Sequence, residues 1–250
     1  MVAATITLVI VLAGAVYLRG WLKGRSIPGW RACSFFLGLF LTWVPSAPIA
    51  LADSRMLTAH MIQHLLLMTF APPLIWLGEP LMTVQLRRWL VPKNLGRPLG
   101  HPVFCWLAAA ATLIVWHVPA IFQLGMESPT WHFIEHASFL ISGLLFWWPV
   151  MQPWPSVALW PRWSMLLYLF LATLPCDVLS GLLVFSDRVV YPMYLTMPEM
   201  GPHMGALSPL EDQECAAALM WTCVTVVFLV AGTILSVQIL SPNHRIQEAA

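Results

Sequence analysis

The chain has 250 residues, of which 59% are hydrophobic and only 9% charged, with a formal net charge of +1. A soluble domain carries roughly 25% charged residues, so the composition excludes an ordinary water-soluble protein. The near-neutral balance also argues against a nucleic-acid surface, which needs clustered basic residues.

Taken in chain order, the apolar runs predict an all-α polytopic membrane helical bundle. About seven transmembrane helices are expected, each near the ~20 residues a bilayer requires. The spans fall near residues 1–18, 31–51, 57–78, 102–119, 132–151, 163–185 and 214–240, within a single transmembrane domain covering 1–250. The first has no basic run ahead of it and no small-residue cleavage signal, so it reads as a retained helix. In the third, Pro72 and Pro73 should bend the helix, because each removes a backbone donor. The fourth is short and ends at Pro119. Polar or Pro/Gly-rich connectors separate the spans, and the longest runs from Ser186 to Gln213. Fourteen tryptophans suit the aromatic belts of membrane interfaces. Five cysteines (Cys33, Cys105, Cys176, Cys215, Cys223) lie in apolar stretches without a C-x-x-C pair, and they read as small packing residues.

Basic residues orient the bundle. Arg19, Lys23, Arg25, Arg31, Arg87, Arg88, Lys93, Arg97, Arg162 and Arg245 fall on one side, and only Arg55 and Arg188 on the other. The positive-inside rule then places the N-terminus outside and the C-terminus in the cytoplasm.

This orientation brings five of the eight histidines to the outer face. His60 and His64 open the third span, His117 closes the fourth, and His132 and His136 open the fifth. Each pair has i,i+4 spacing, so both rings leave one helical face. Ionisable groups inside a membrane are costly and mark functional sites. Neutral imidazole is the commonest metal ligand and suits copper, zinc and iron. A lone histidine would more simply be a hydrogen-bonding residue; two such pairs with His117 at the same depth point to a metal site. His203 lies in the outer loop beside Met193, Met197, Met200 and Met204, whose thioethers favour Cu(I). Asp212, Gln213 and Met220 begin the last span. Asp177 reads as a buried acid within the sixth, either at the site or in a packing hydrogen bond. Glu135 completes the string H-x-x-E-H with His132 and His136, a weak echo of inverted zinc metallopeptidases.

Several motifs together carry a family resemblance. The run HMIQHLLLMTFAPPLIWLGEP (His60 to Pro80), WHVP at Trp116 to Pro119, the second histidine pair followed by LLFWWPV (Leu144 to Val150), and the Asp212, Gln213, Met220, Trp221 pattern resemble the Caa3_CtaG family. The resemblance covers residues from about 30 to 240. It implies a multi-span assembly factor of the bacterial inner membrane, distinct from the single-span copper chaperone that shares the CtaG name. It further implies service to the catalytic subunit of a haem–copper oxidase, with copper received from a periplasmic donor. His60, His64, His117, His132, His136, Asp212 and Met220 match positions that define the family. This chain reads EDQECAAALMW where many relatives carry a glycine, which bears only on close helix packing. The expected protein is thus a copper-binding assembly factor rather than an enzyme. Haem held by histidines of different helices is the nearest alternative. A seven-span zinc hydrolase, similar to ceramidase-like membrane enzymes, is the other.

Overall fold

The structure, a computed structural model, describes residues 2–24, 27–47, 56–83, 100–153, 160–195 and 207–241. Among them there is no β-strand. The helices are α1 (Val2–Gly24), α2 (Gly29–Trp43), α3 (Leu57–Leu77), a short α4 (Pro80–Thr83), α5 (Pro102–Trp116), α6 (Pro119–Glu127), α7 (Pro129–Met151), α8 (Ser164–Val184) and α9 (Pro209–Leu240). Five of these, α1, α3, α7, α8 and α9, are long and apolar enough to cross a membrane. The pair α5 and α6 is bent by 78° at a short break and gives a sixth if counted as one span. The second predicted span is only a 15-residue helix, continued by a 3-10 turn at Val44–Ser46 that contains Pro45. At 1.5 Å per residue α2 is about 22 Å long, short of the ~30 Å hydrocarbon core.

Apolar side chains face outward as well as inward. Phe185 is 78% exposed, and Leu182 and Leu229 are each 67% exposed, which suits surfaces turned to lipid. Arg25, Arg55, Arg87, Arg88, Lys93, Arg97 and Arg245, most of the cations behind the orientation argument, lie outside the described residues.

The core that positions the site is built by α3, α5, α7, α8 and α9. At one end of the bundle, Arg162 before α8 donates to Gln238 on α9 at 2.8 Å. At the other end, the fully buried Gln213 of α9 accepts from the Val190 amide and donates to the carbonyls of Leu183 and Arg188. Gln213 therefore ties the loop after α8 to the start of α9.

Helix α3 runs as one span through its prolines. Leu66–Phe70 winds as a π-helix just ahead of Pro72 and Pro73, a wider turn that accommodates inserted strain. Proline at 72 has no N–H to give the Met68 carbonyl four residues earlier. The Trp147 indole of α7 donates to that carbonyl instead, at 3.3 Å, and Trp76 of α3 donates to Leu144 of α7 at 2.9 Å. Gly143 makes this approach possible, since a Cβ there would sit 2.8 Å from both Cα and O of Met68. Neither atom belongs to a side chain that can rotate away. We expect Gly143→Ala to destabilise the bundle by about 1–3 kcal/mol, the usual cost of overpacking. Thermal unfolding in detergent, followed by circular dichroism, measures this; an unchanged midpoint would contradict it.

Candidate metal centre

Three helices deliver the histidines to one place. On α3, His60 and His64 stand one turn apart, 0% and 5% exposed, with ring centroids 4.3 Å apart. On α7, His132 and His136 form a second pair, tilted against one another at 4.1 Å. The two pairs lie side by side, with His60 5.8 Å from His132 and His64 6.1 Å from His136. His117 comes from the end of α5, its ring 6.1 Å from that of His64. Phe139 of α7 stacks on His64 at 4.0 Å, and Phe122 of α6 meets His60 edge-on at 5.0 Å.

The break after α5 places His117. Pro119 begins α6 in a new direction, so His117 is the last residue wound with α5. Its Nδ1 lies 2.7 Å from the Leu113 carbonyl. A carbonyl can only accept, so Nδ1 carries the hydrogen and Nε2 keeps its lone pair. The Tyr191 hydroxyl donates to the His117 carbonyl at 3.1 Å, satisfying one group freed where the helix stops.

Glu135 stands between the pairs and is fully buried. Its Oε1 hydrogen-bonds with His60 Nε2 at 3.3 Å. His64 Nε2 lies 3.2 Å from the same oxygen without hydrogen-bond geometry. One ligand atom from each of His60, His64 and Glu135 can be chosen so that all three lie within 4.8 Å of one another. Among the described residues no Lys or Arg pairs with this carboxylate. A buried charge without a partner is expensive, so a cation between these groups would offset it.

Unanswered polar atoms make the same point. Buried and without a hydrogen-bond partner among the described residues are His60 Nδ1, both ring nitrogens of His64, His117 Nε2, His136 Nε2 and Glu135 Oε2. Native proteins carry only a few such atoms per hundred residues. Their concentration on four rings and one carboxylate is the pattern expected of a ligand set.

Helix α6 closes over the carboxylate through Gly125. A Cβ at this position would lie 2.8 Å from Glu135 Oε2 and 3.4 Å from its Cδ. Gly125→Ala should therefore push the carboxylate out of place and weaken metal retention, while Gly125→Ala combined with Glu135→Gln should add little further loss. Additive losses in metal titrations of the single and double variants would remove Gly125 from the site.

The other expected site residues are distributed differently. Asp212 is 6% exposed, and its carboxylate is engaged at the start of α3. Oδ2 accepts from the Leu57 amide at 2.6 Å; Oδ1 accepts from the Thr58 amide at 3.2 Å and the Thr58 hydroxyl at 2.6 Å. Asp212 thus caps α3 from a neighbouring helix, one turn before His60. Met220 is 4% exposed and faces a cavity beneath the rings, beside His64 and His117. Asp177 is half-buried rather than buried and stands outside the cluster. Met193 packs against the apolar core in a 3-10 turn, Pro192–Leu195. His203, Met197, Met200 and Met204 lie outside the described residues. Glu135, which the sequence suggested only as part of a weak string, is the central addition. Its signal was present: it is the one acid between two ring-bearing positions of a predicted span.

A family model described as cytochrome c oxidase caa3 assembly factor matches residues 12–241. Among curated proteins the chain is similar to an uncharacterized protein of Mycobacterium leprae, 21% identical over 94% of this chain and 38% of that one. Uncharacterized proteins of Mycobacterium bovis and Mycobacterium tuberculosis are each 23% identical, over 84% of this chain and 35% of theirs. The chain thus spans little more than a third of the length of these relatives. No solved structure matches.

Proposed function

The chain belongs to the Caa3_CtaG family of cytochrome c oxidase assembly factors, and on that premise we propose that its histidine cluster binds copper. The ion is handled at the outer face of the bacterial inner membrane for the haem–copper centre of the oxidase's catalytic subunit. In this reading the N-terminus is outside, the C-terminus is cytoplasmic, and a periplasmic donor supplies the metal. The observation that carries it is the gathering of unpartnered, buried nitrogen and oxygen atoms around Glu135. His60, His64 and Glu135 would form the inner ligands, with His117, His132 and His136 close enough to complete or relay the set. Nitrogen and carboxylate donors rank copper above zinc and the other divalent first-row ions in affinity. Asp212 acts as a positioning residue through α3, and Met220 flanks the site from below.

Haem is the second reading, because the cavity beside His64 and His117 is lined by Trp106, Phe139, Phe146 and Phe228. No Arg or Lys lines it to meet the propionates, and the open ring nitrogens crowd around a carboxylate rather than across a flat slot. Metal analysis with an absorption spectrum of the purified protein tests the proposal. Stoichiometric copper without a Soret band is expected. A Soret band would make it a haem protein, and stoichiometric zinc would favour a hydrolase.

A further inference from the structure

Five imidazoles and the two oxygens of Glu135 are more donors than one ion uses. His60 Nε2 and His64 Nε2 both lie against a single carboxylate oxygen, Glu135 Oε1, at 3.3 and 3.2 Å. His117 Nε2 is buried without a hydrogen-bond partner among the described residues, and its ring is 6.1 Å from that of His64. Given to the same ion, it makes a fourth donor, and four close a tetrahedral set. Glu135 Oε2, His132 and His136 are then left over.

These three belong to one face of one helix. Positions 132, 135 and 136 are related as i, i+3 and i+4 on α7, whereas the intervening Phe133 and Ile134 turn outward, 42% and 41% exposed. The two rings have centroids 4.1 Å apart. His136 Nε2 and Glu135 Oε2 are both buried without a hydrogen-bond partner among the described residues. Helix α6 comes close to Oε2 at Gly125 but brings it no donor. An ion on His60, His64 and Oε1 leaves both of these atoms unanswered. The H-x-x-E-H string of α7 thus presents a second donor set that the first does not use.

We propose that the cluster is a two-ion centre, in which a second copper ion binds His132, His136 and Glu135 Oε2, and the Glu135 carboxylate bridges it to the ion on His60, His64 and Oε1. This rests on the copper reading above and adds a site to it. Two-metal centres hold their ions about 3.5–4 Å apart. The outer ion is the weaker one, for three reasons. The trio of His60, His64 and Glu135 is the one compact ligand group among the described residues, His132 is half-exposed, and like charges a few ångströms apart repel. A carboxylate touching both ions offsets part of that repulsion.

The test is an anaerobic titration of the copper-free full chain in detergent with Cu(I) against a competing chelator. About two equivalents should bind per chain, the second about tenfold or more weakly, so that protein purified without added metal keeps the inner ion alone. His132→Ala combined with His136→Ala should remove the second equivalent and leave the first nearly unchanged. Glu135→Gln keeps the size of the side chain and removes the shared charge; it should lose the second equivalent and weaken the first. X-ray absorption at the copper edge of the fully loaded wild type needs no variant and decides the matter if the variants misfold. It should show a copper neighbour at about 3.5–4 Å. One equivalent at saturation, a second that survives loss of both α7 rings, or no copper neighbour in the loaded wild type would overturn the two-ion centre and leave the inner site standing. No bound copper at all would instead remove the copper reading, and the two-ion centre with it.

Discussion

Alanine at position 64 is expected to strip the protein of bound copper while leaving the bundle inserted. His64 has the widest reach of the five rings. Its centroid is 4.3 Å from that of His60 and 6.1 Å from those of His117 and His136, and its Nε2 is 3.2 Å from Glu135. Outer-sphere changes at metal sites cost ~10–100-fold in affinity; loss of a direct ligand should exceed that. Insertion should survive, because helices in lipid are held by their own backbone bonds and apolar sequence. Metal analysis of the purified variant reads the first effect. In cells, oxidase activity should fall, and added copper should restore part of it. An unchanged copper-to-protein ratio in His64→Ala would end the case for a copper centre at this cluster.

The second large effect is expected at Asp212, with a different signature. Asp212→Ala leaves two amides at the start of α3 and the Thr58 hydroxyl without their acceptor. Hydrogen bonds to a charged group contribute about 1.5–3 kcal/mol each, and these share one carboxylate, so a total loss of about 2–4 kcal/mol is expected. His60 follows Thr58 on the same first turn, so the variant should also bind copper more weakly. Asp212→Asn retains one acceptor oxygen and should recover part of the stability with full copper stoichiometry. The paired measurement is thermal unfolding with copper titration. Were Asp212 itself a ligand, the asparagine variant would lose metal at nearly unchanged stability.

The features legible in the sequence were those set by spacing along one helix. The i,i+4 pairs at His60/His64 and His132/His136 had to become neighbours on one face once their segments were helical, and the stop at Pro119 had to leave His117 at a helix end. What spacing cannot reveal is which partner a group finds across helices. Asp212 reads from the sequence as one more potential ligand, yet its acceptors are consumed by the helix start at Thr58, 154 residues earlier in the chain. Glu135 looked like part of a weak string, and only the packing of α3 against α7 makes it the centre. Pro72 and Pro73 do not end the third span, because the π-wound segment and the Trp147 indole accommodate what the prolines remove. Asp177 lies in an apolar run, but its helix face decides its burial, and that face is half open. The second predicted span reaches beyond α2 because the chain remains apolar at Ala47 after Pro45 has already tightened the helix into a 3-10 turn.

The five rings are unequally covered. His60, His64, His117 and His136 are 0–8% exposed, whereas His132 is half-exposed. If the cluster carries an ion as proposed, its traffic would then have a direction and a queue. In the proposed reading, an arriving ion would be met first by His132, would pass to its neighbour His136 or across to His60, and only afterwards would reach the interior. A small chelator in solution would likewise draw first on the ion at His132 and wait for the rest. Loading and unloading should therefore proceed through the same doorway in opposite order, at a pace governed by ring-to-ring exchange rather than by the strength of the innermost bonds.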